Sequence, residues 1–277
     1  MNEAVRLRDL NALDPIWQAV REDAEEVVAN DPSLCGFMSR VVLNHASLEA
    51  VVADRVAELL HRTDVPADML RHEIEQAAAS SSDWGSRLRI DIQAVVDRDP
   101  ACKRYIEPLL YFKGFQALQA HRLSHWLWSS GRRDMALYVQ SRMSSVFQID
   151  IHPATKIGRG VFLDHGTGIV IGETAVIEDR VSILQGVTLG GTGKERGDRH
   201  PKIRTGVLVG ANAAILGNIE IGHCAKVAAG SVVLKPVAPN STVAGVPARY
   251  IGETGCDEPS AAMNQLLELA SPLVDDQ

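Results

Sequence analysis

From residue 157 to residue 233 a medium-sized aliphatic side chain recurs every six positions, at Ile157, Leu163, Ile171, Ile177, Ile183, Leu189, Ile203, Val209, Ile215, Ile221, Val227 and Val233. Two extra residues precede Ile171 and eight precede Ile203, yet the register resumes after each. A strand alternates with period 2 and a helix repeats at 3.6, so a period of six means short strands broken by a turn in every repeat. Three such turns close a triangular coil, and stacked coils make a parallel β-helix with the aliphatics inside. Small residues or Val fill the fifth place of the repeat (Val161, Ala175, Val181, Val187, Val207, Ala213, Ala225, Ser231), as cramped corners require. A β-sandwich of short strands would need aromatics and irregular loops that this half lacks.

The rest of the chain is built differently. Of thirteen Phe, Trp and Tyr residues, only Phe162 and Tyr250 lie beyond residue 150, whereas eighteen of the 22 glycines do. This shift predicts an all-α N-terminal domain over 1–148, a β-helix over 149–250 with an inserted loop at 190–202, and a flexible tail over 251–277. Between Leu34 and Leu60 apolar residues fall three and four apart, the period of a buried helix face. Two more helices are expected after Pro108 and after Gly131. His121 and His125 form an i, i+4 pair, but His-Arg-Leu-Ser-His lacks the Glu of a zinc helix, so packing is expected and no metal site. Cys35, Cys102, Cys224 and Cys256 form no C-x-x-C, and neither a disulfide framework nor a zinc knuckle is expected.

A net charge of −7 argues against nucleic acid or an anionic membrane as partner. With no apolar leader and no 20-residue apolar run, the expectation is a cytoplasmic protein. Any anionic ligand then needs a local basic cluster. The longest interruption of the repeat supplies one, with Lys194, Arg196, Arg199, Lys202 and Arg204 against Glu195 and Asp198, and it reads as a substrate-binding lid. Near the other insertion stand Asp150, Asp164 and His165. A histidine beside carboxylates is the minimum equipment for drawing a proton from a hydroxyl, because imidazole titrates near neutral pH and an acid fixes its tautomer. On spacing alone Asp164 equally reads as a turn residue and His165 as a surface histidine.

The strings DIQAVVDRDP, PLLYFKGFQALQAHRLSHWLW, DIHPATKIGRG, LDHGTGIVIGETAVIEDRVSILQGVTLGGTGK, GDRHPKIR, ILGNIEIG, AAGSVVLKPV and AGVPAR resemble the bacterial serine O-acetyltransferases, hexapeptide-repeat acyltransferases. The resemblance implies a left-handed β-helix, although the general crossover rule favours the right hand. It implies transfer of acetyl from acetyl-CoA to L-serine, the first step of cysteine biosynthesis. No permanently bound cofactor is expected, and acetyl-CoA is a co-substrate. By the resemblance His165 is the general base and Asp150 orients it. Asp99 and Asp164 receive the substrate's amino group, while Arg199 and His200 hold its carboxylate. Gly191, Thr192, Ala211, Lys226 and Ala229 fall where the family lines its coenzyme A channel. It further implies inhibition by L-cysteine and a hexamer built as a dimer of trimers.

Departures from the family pattern are Gly166 in place of Ala, Ala214 in place of a Lys, and a tail ending in Leu273-Val274-Asp275-Asp276-Gln277 rather than Ile. The last makes capture by the partner enzyme O-acetylserine sulfhydrylase doubtful, because charge would have to enter an apolar pocket. Three rival readings differ in class. Another acceptor such as homoserine is weakly disfavoured by the acid and base clamp. A γ-carbonic-anhydrase-type metalloenzyme lacks its H-x-x-x-x-H spacing here. A non-catalytic scaffold has no use for Asp150 and His165.

Overall fold

The computed structural model describes residues 14–193 and 196–267. Helix α1 (Pro15–Asn30) starts at Asp14, whose carboxylate accepts from Trp17 N–H, with Pro15 at its first position. A 3-10 turn (Pro32–Leu34), α2 (Cys35–Met38) and a π turn (Ser39–Leu43) follow, so the apolar run between Leu34 and Leu60 is divided. Its second part, α3 (Leu48–Leu60), begins anew where Ser47 Oγ accepts from Ala50 N–H. The helices α4 (Ala67–Ser80), α5 (Trp84–Arg98), α6 (Ile106–Leu110), α7 (Lys113–Ser129) and α8 (Arg133–Phe147) complete this domain. α7 is buried over most of its surface and forms an antiparallel hairpin with α8. Among the described residues no helix is long and apolar enough to cross a membrane.

Among the described residues thirteen short strands follow, β1 (Asp150–Ile151), β2 (Lys156–Ile157), β3 (Phe162–Leu163), β4 (Val170–Ile171), β5 (Val176–Ile177), β6 (Ser182–Ile183), β7 (Thr188–Gly190), β8 (Lys202–Ile203), β9 (Leu208–Val209), β10 (Ala214–Leu216), β11 (Glu220–Ile221), β12 (Lys226–Val227) and β13 (Val232–Val233). Every third strand pairs in parallel, which gives three faces. The first face is β1-β4-β7-β10-β13 and the second is β2-β5-β8-β11. The third is β3-β6-β9-β12, extended by β14 (Ser241–Gly245) and its antiparallel partner β15 (Ala248–Glu253). The twelve six-spaced aliphatics all point inward and stack in register, Ile171 on Leu189 on Ile215 on Val233 along one face and Ile157 on Ile177 on Ile203 on Ile221 along the next. Each such buried side chain contributes roughly 1.5–3 kcal/mol. The eight fifth-place residues are buried inside the corners.

The first coil has no coil above it to accept from. Its backbone is satisfied instead by side chains of α5 and α7. His121 Nε2 lies 3.1 Å from Thr155 O, His125 Nδ1 2.8 Å from Pro153 O, and Arg122 Nη2 donates to Gly158 O at 2.9 Å. Arg98 Nη1 donates to Gly160 O at 3.0 Å, while Gly160 N–H donates to Asp91 Oδ1 at 2.8 Å. Asp91 is fully buried and its other oxygen takes Arg122 and Gln119, so the charge pair has the surrounding donors that make burial tolerable. The two histidines therefore pack against the coil as the sequence suggested, and burial pushes His121 down to about 3.

Beyond residue 250, in the segment expected as a flexible tail, the described residues as far as 267 include regular structure. β15 runs through that boundary, and α9 (Pro259–Ala262) packs on α5 and β9. Ser260 N–H donates to Gly206 O, and Ser260 O accepts from Ser182 Oγ at 2.8 Å. These contacts use polar groups along the coil edge that would otherwise need water.

Candidate functional site

The three-sided coil has three corner edges, and the candidate residues divide between two of them. Edge A joins the third face to the first. There the two-residue insertion forces the chain outward, and His165, Gly166 and Gly168 take left-handed φ values of 54°, 76° and 78°. The His165 ring is three-quarters exposed, with Nε2 3.8 Å from Asp164 Oδ1. Burial is the main reason that the Asp164 carboxyl rises above its ordinary value; the charge of Asp99 adds to the rise, and His165 opposes it.

Asp99 arrives from the helical domain. α5 stops before Pro100, as a residue preceding proline should, and Asp99 Oδ1 accepts from Ala101 N–H at 2.8 Å. α7 begins beside it. A Cβ at position 114 would lie 1.9 Å from Leu163 O, so only glycine lets this helix end press on β3. Lys113 Nζ consequently reaches Thr167 Oγ1. Asp99, Phe112, Lys113, Asp164, His165 and Thr167 line a pocket of about 400 Å³.

Ala211 and Ala229 lie on the same edge, in later coils. The corners are linked in sequence, Gly186 N–H to Thr167 O, Asn212 N–H to Gln185 O and Gly230 N–H to Ala211 O, each at 2.8 Å. Edge B, between the first and second faces, carries Gly191, Thr192, Arg199 and His200. Arg199 Nη2 donates to Glu173 Oε2 at 2.8 Å. His200 is buried, with Nδ1 against Thr174 N and Oγ1, over a Gly172 whose Cβ would sit 2.0 Å from the ring. Burial and then Arg199 push the His200 ring below its ordinary value.

Within one copy, then, the structure joins Asp99, Asp164 and His165 but leaves Arg199 and His200 at another corner, away from that pocket. Asp150, at the start of the first face, accepts from Gln140 Nε2 at 2.7 Å. Among the described residues no hydrogen bond or ion pair joins it to His165. Lys226 stands on the third face, away from both edges. It is buried and its Nζ donates to Leu266 O at 2.6 Å, so the tail covers it. The basic loop is less of a free lid than its composition suggested. Lys202 pairs with Asp198 of the loop itself, and Arg204, where the loop rejoins the stack, with Glu178 and Glu220 of adjacent coils. Lys194 and Glu195 lie outside the described residues, as do Leu273 to Gln277. Sequence reasoning missed Lys113 and Gln140; the first lies within the PLLYFKGFQALQ string, but no charge pattern marks it out.

A triangular coil of hexapeptide repeats with an acid and histidine pocket on one edge defines a hexapeptide-type acyltransferase. Residues 16–120 match the family model described as serine acetyltransferase, N-terminal. The chain is 53% identical to the serine acetyltransferase of Salmonella typhimurium over 91% of its length and 93% of the relative's. It is 50% identical to that of Haemophilus influenzae, covering 90% and 94%. It also superposes on a crystal structure of serine acetyltransferase in complex with coenzyme A from Brucella abortus strain S19, with a TM-score of 0.88, 60% identity, and 90% and 99% of the two chains covered. A solved serine acetyltransferase in complex with cysteine gives a TM-score of 0.89 at 50% identity, covering 91% and 98%. The chain belongs to the serine acetyltransferase family. Its fold is that family's, a helical N-terminal region followed by a left-handed parallel β-helix.

Proposed function

We propose that this chain transfers the acetyl group of acetyl-CoA to the hydroxyl of L-serine, as the names of its relatives indicate. The observation that carries the reading is the convergence of Asp99, Asp164 and His165 on one pocket. Two carboxylates suit an ammonium group, and an exposed imidazole beside them is free to approach the hydroxyl of a small amino acid. His165 takes the hydroxyl proton as the oxygen attacks the thioester carbonyl; the C–S bond then breaks and the imidazolium returns the proton to the leaving thiolate. Asp150 opens the first face near the corner that carries His165. Its exchange of Gln140 for the imidazole is the rearrangement this scheme asks of it.

Arg199 and His200 complete the site from the edge of a neighbouring copy, a guanidinium fork meeting the substrate carboxylate. Acetyl-CoA lies along the same seam, between Ala211 and Ala229 on one side and Gly191 and Thr192 on the other. Lys226 joins it only if the tail lifts. The assembly that follows is a trimer through the coils, paired into a hexamer through the helical domains. L-cysteine, alike except at one heteroatom, occupies the serine site and inhibits. The protein is read as cytoplasmic, and stable capture by O-acetylserine sulfhydrylase is not expected from its acidic tail end.

A panel of L-serine, L-homoserine, L-threonine and a sugar acceptor, scored by thiol release from acetyl-CoA, tests the reading. Serine should exceed every other acceptor in kcat/KM. Equal or better use of homoserine would overturn the acceptor assignment.

A further inference from the structure

We propose that Cys224 and Cys256 form a thiol pair that closes to a disulfide under peroxide and staples the C-terminal segment to the coil. That segment climbs edge C, the corner between the second and third faces. Gly206, Cys224 and Asn240 occupy the same corner position in three successive coils, all with left-handed φ between 53° and 75°. Backbone bonds link them in order, Cys224 N–H to Thr205 O and Asn240 N–H to His223 O. The segment after β15 is fixed to this column at both ends. Thr254 N–H donates to Asn240 O at 3.0 Å, level with the lowest of the three corners. At the highest, a Cβ on Gly206 would lie 2.9 Å from Cys224 Sγ and 3.5 Å from Glu258 Cγ, and Ser260 N–H donates to Gly206 O at 3.3 Å. Arg180 Nε holds Glu258 Oε1 at 2.8 Å.

Two coil steps of about 4.8 Å separate Asn240 from Gly206. The four residue steps from Thr254 to Glu258 reach at most about 14 Å. The segment has length to spare and bends at residues 255–257, and Cys256 is the midpoint of a stretch whose ends meet the corners below and above Cys224. A disulfide needs about 4.4–6.8 Å between its two Cα atoms, so closure requires the segment to bring Cys256 within that range of Cys224. Both cysteines are free and partly accessible, and neither belongs to the candidate site. The charge of Cys256 is among the influences that raise the Cys224 thiol, after burial and Glu258, which suits Cys224 to the second step rather than the first. In the first step the Cys256 sulfur attacks peroxide, the O–O bond breaks, and a sulfenic acid and one water result. Cys224 then attacks that sulfur, releasing a second water as the S–S bond forms. Two thiols are oxidised and one peroxide is reduced to two waters.

The staple would hold the segment that seats Leu266 O on Lys226 and Ser260 on Ser182. The test treats the purified full-length protein with hydrogen peroxide, blocks remaining thiols, and maps peptides by mass spectrometry without reduction. The expected result is one Cys224–Cys256 cross-link that a thiol reductant reverses and that either Cys224→Ser or Cys256→Ser abolishes. Subtilisin cleavage within 254–267 should slow roughly tenfold or more on oxidation of the natural protein and stay unchanged in both variants. Oxidation of Cys256 to sulfinic acid without cross-linking, a link through the exposed Cys35, or a cross-link that leaves cleavage unaltered would each overturn the proposal.

Discussion

At the scale of single residues, the site sets two acids and one base with opposed demands. His165 is the proton acceptor of the proposed reaction and makes few packing contacts, so His165→Asn should lower kcat by roughly 10²- to 10⁴-fold with serine and acetyl-CoA binding nearly unchanged. Steady-state kinetics with both substrates varied checks this; turnover close to the natural enzyme's would remove the mechanism. Asp164 carries the opposite lesson. Its carboxyl is raised by burial, so the folded protein holds that proton more tightly than the unfolded chain, and stability falls as pH rises from the ordinary carboxylate value through the raised one. Asp164→Asn should therefore raise Tm at neutral pH, by an amount that vanishes as the pH drops to about 4, while weakening serine binding. A lower Tm at pH 7 would show that its charge is compensated. These residues were legible because His165 and Asp164 stand at an insertion in a strict repeat and because their strings resemble a family. The Asp150 to Gln140 contact was not, since nothing in the spacing says that α8 ends over the first face.

At the scale of elements, the coil was readable from its period, because each inward aliphatic repeats the same environment. The break between α2 and α3 shows in the sequence only as a gap of six positions between Val42 and Leu48 in the face spaced three and four apart, and the cap at Ser47 marks the restart. Hidden altogether was the use that α5 and α7 make of their polar side chains. His121 shows why this matters for stability. Buried at about 3, it stays neutral while the same residue in the unfolded chain protonates near 6.5, so it contributes stability that is intact above pH 6.5 and lost on the way down to about 3. One such group gives a slope of up to about 1.4 kcal/mol per pH unit. His121→Asn, which can still donate to Thr155 O, should flatten the fall in denaturation midpoint between pH 6.5 and 4.5. An unchanged profile would mean that other groups dominate it. Arg98 connects this layer to the site, since it anchors the end of α5 to Gly160 O and Ser182 Oγ immediately before Asp99. Arg98→Met should raise the serine KM more than the acetyl-CoA KM, with partial recovery in Arg98→Lys; equal changes in both would indicate general loosening.

At the scale of the whole molecule, the separation of edges A and B converts an assignment of residues into a statement about copies. If the amino-acid clamp closes between neighbours, His165→Asn and Arg199→Ala damage different halves of each site. Unfolding and refolding a mixture of the two inactive variants should then regenerate some intact sites, up to about a quarter of natural activity for random assortment in a ring of three. Light scattering should show the trimer or hexamer in the same sample. Failure of the mixture to recover activity, with assembly intact, would place both residues in one copy's site. The sequence could supply the residues of the clamp but not this arrangement, because spacing along a chain does not tell which corner of a prism each turn occupies.

The closure of the first coil by α5 and α7 has a further meaning for how such a molecule survives at high concentration. A stack of parallel coils is an open template at each end, with rows of backbone donors and acceptors to which another chain could add, as in a growing fibril. Here one end is occupied by imidazole, guanidinium and carboxylate groups, which satisfy the backbone without offering a strand to copy. At the other end the chain reverses direction at β15 on the third face, so the parallel register stops there. The helical region thus does for the coil what a terminal cap does for a repeat protein, and its loss would be felt as polymerisation before it was felt as unfolding.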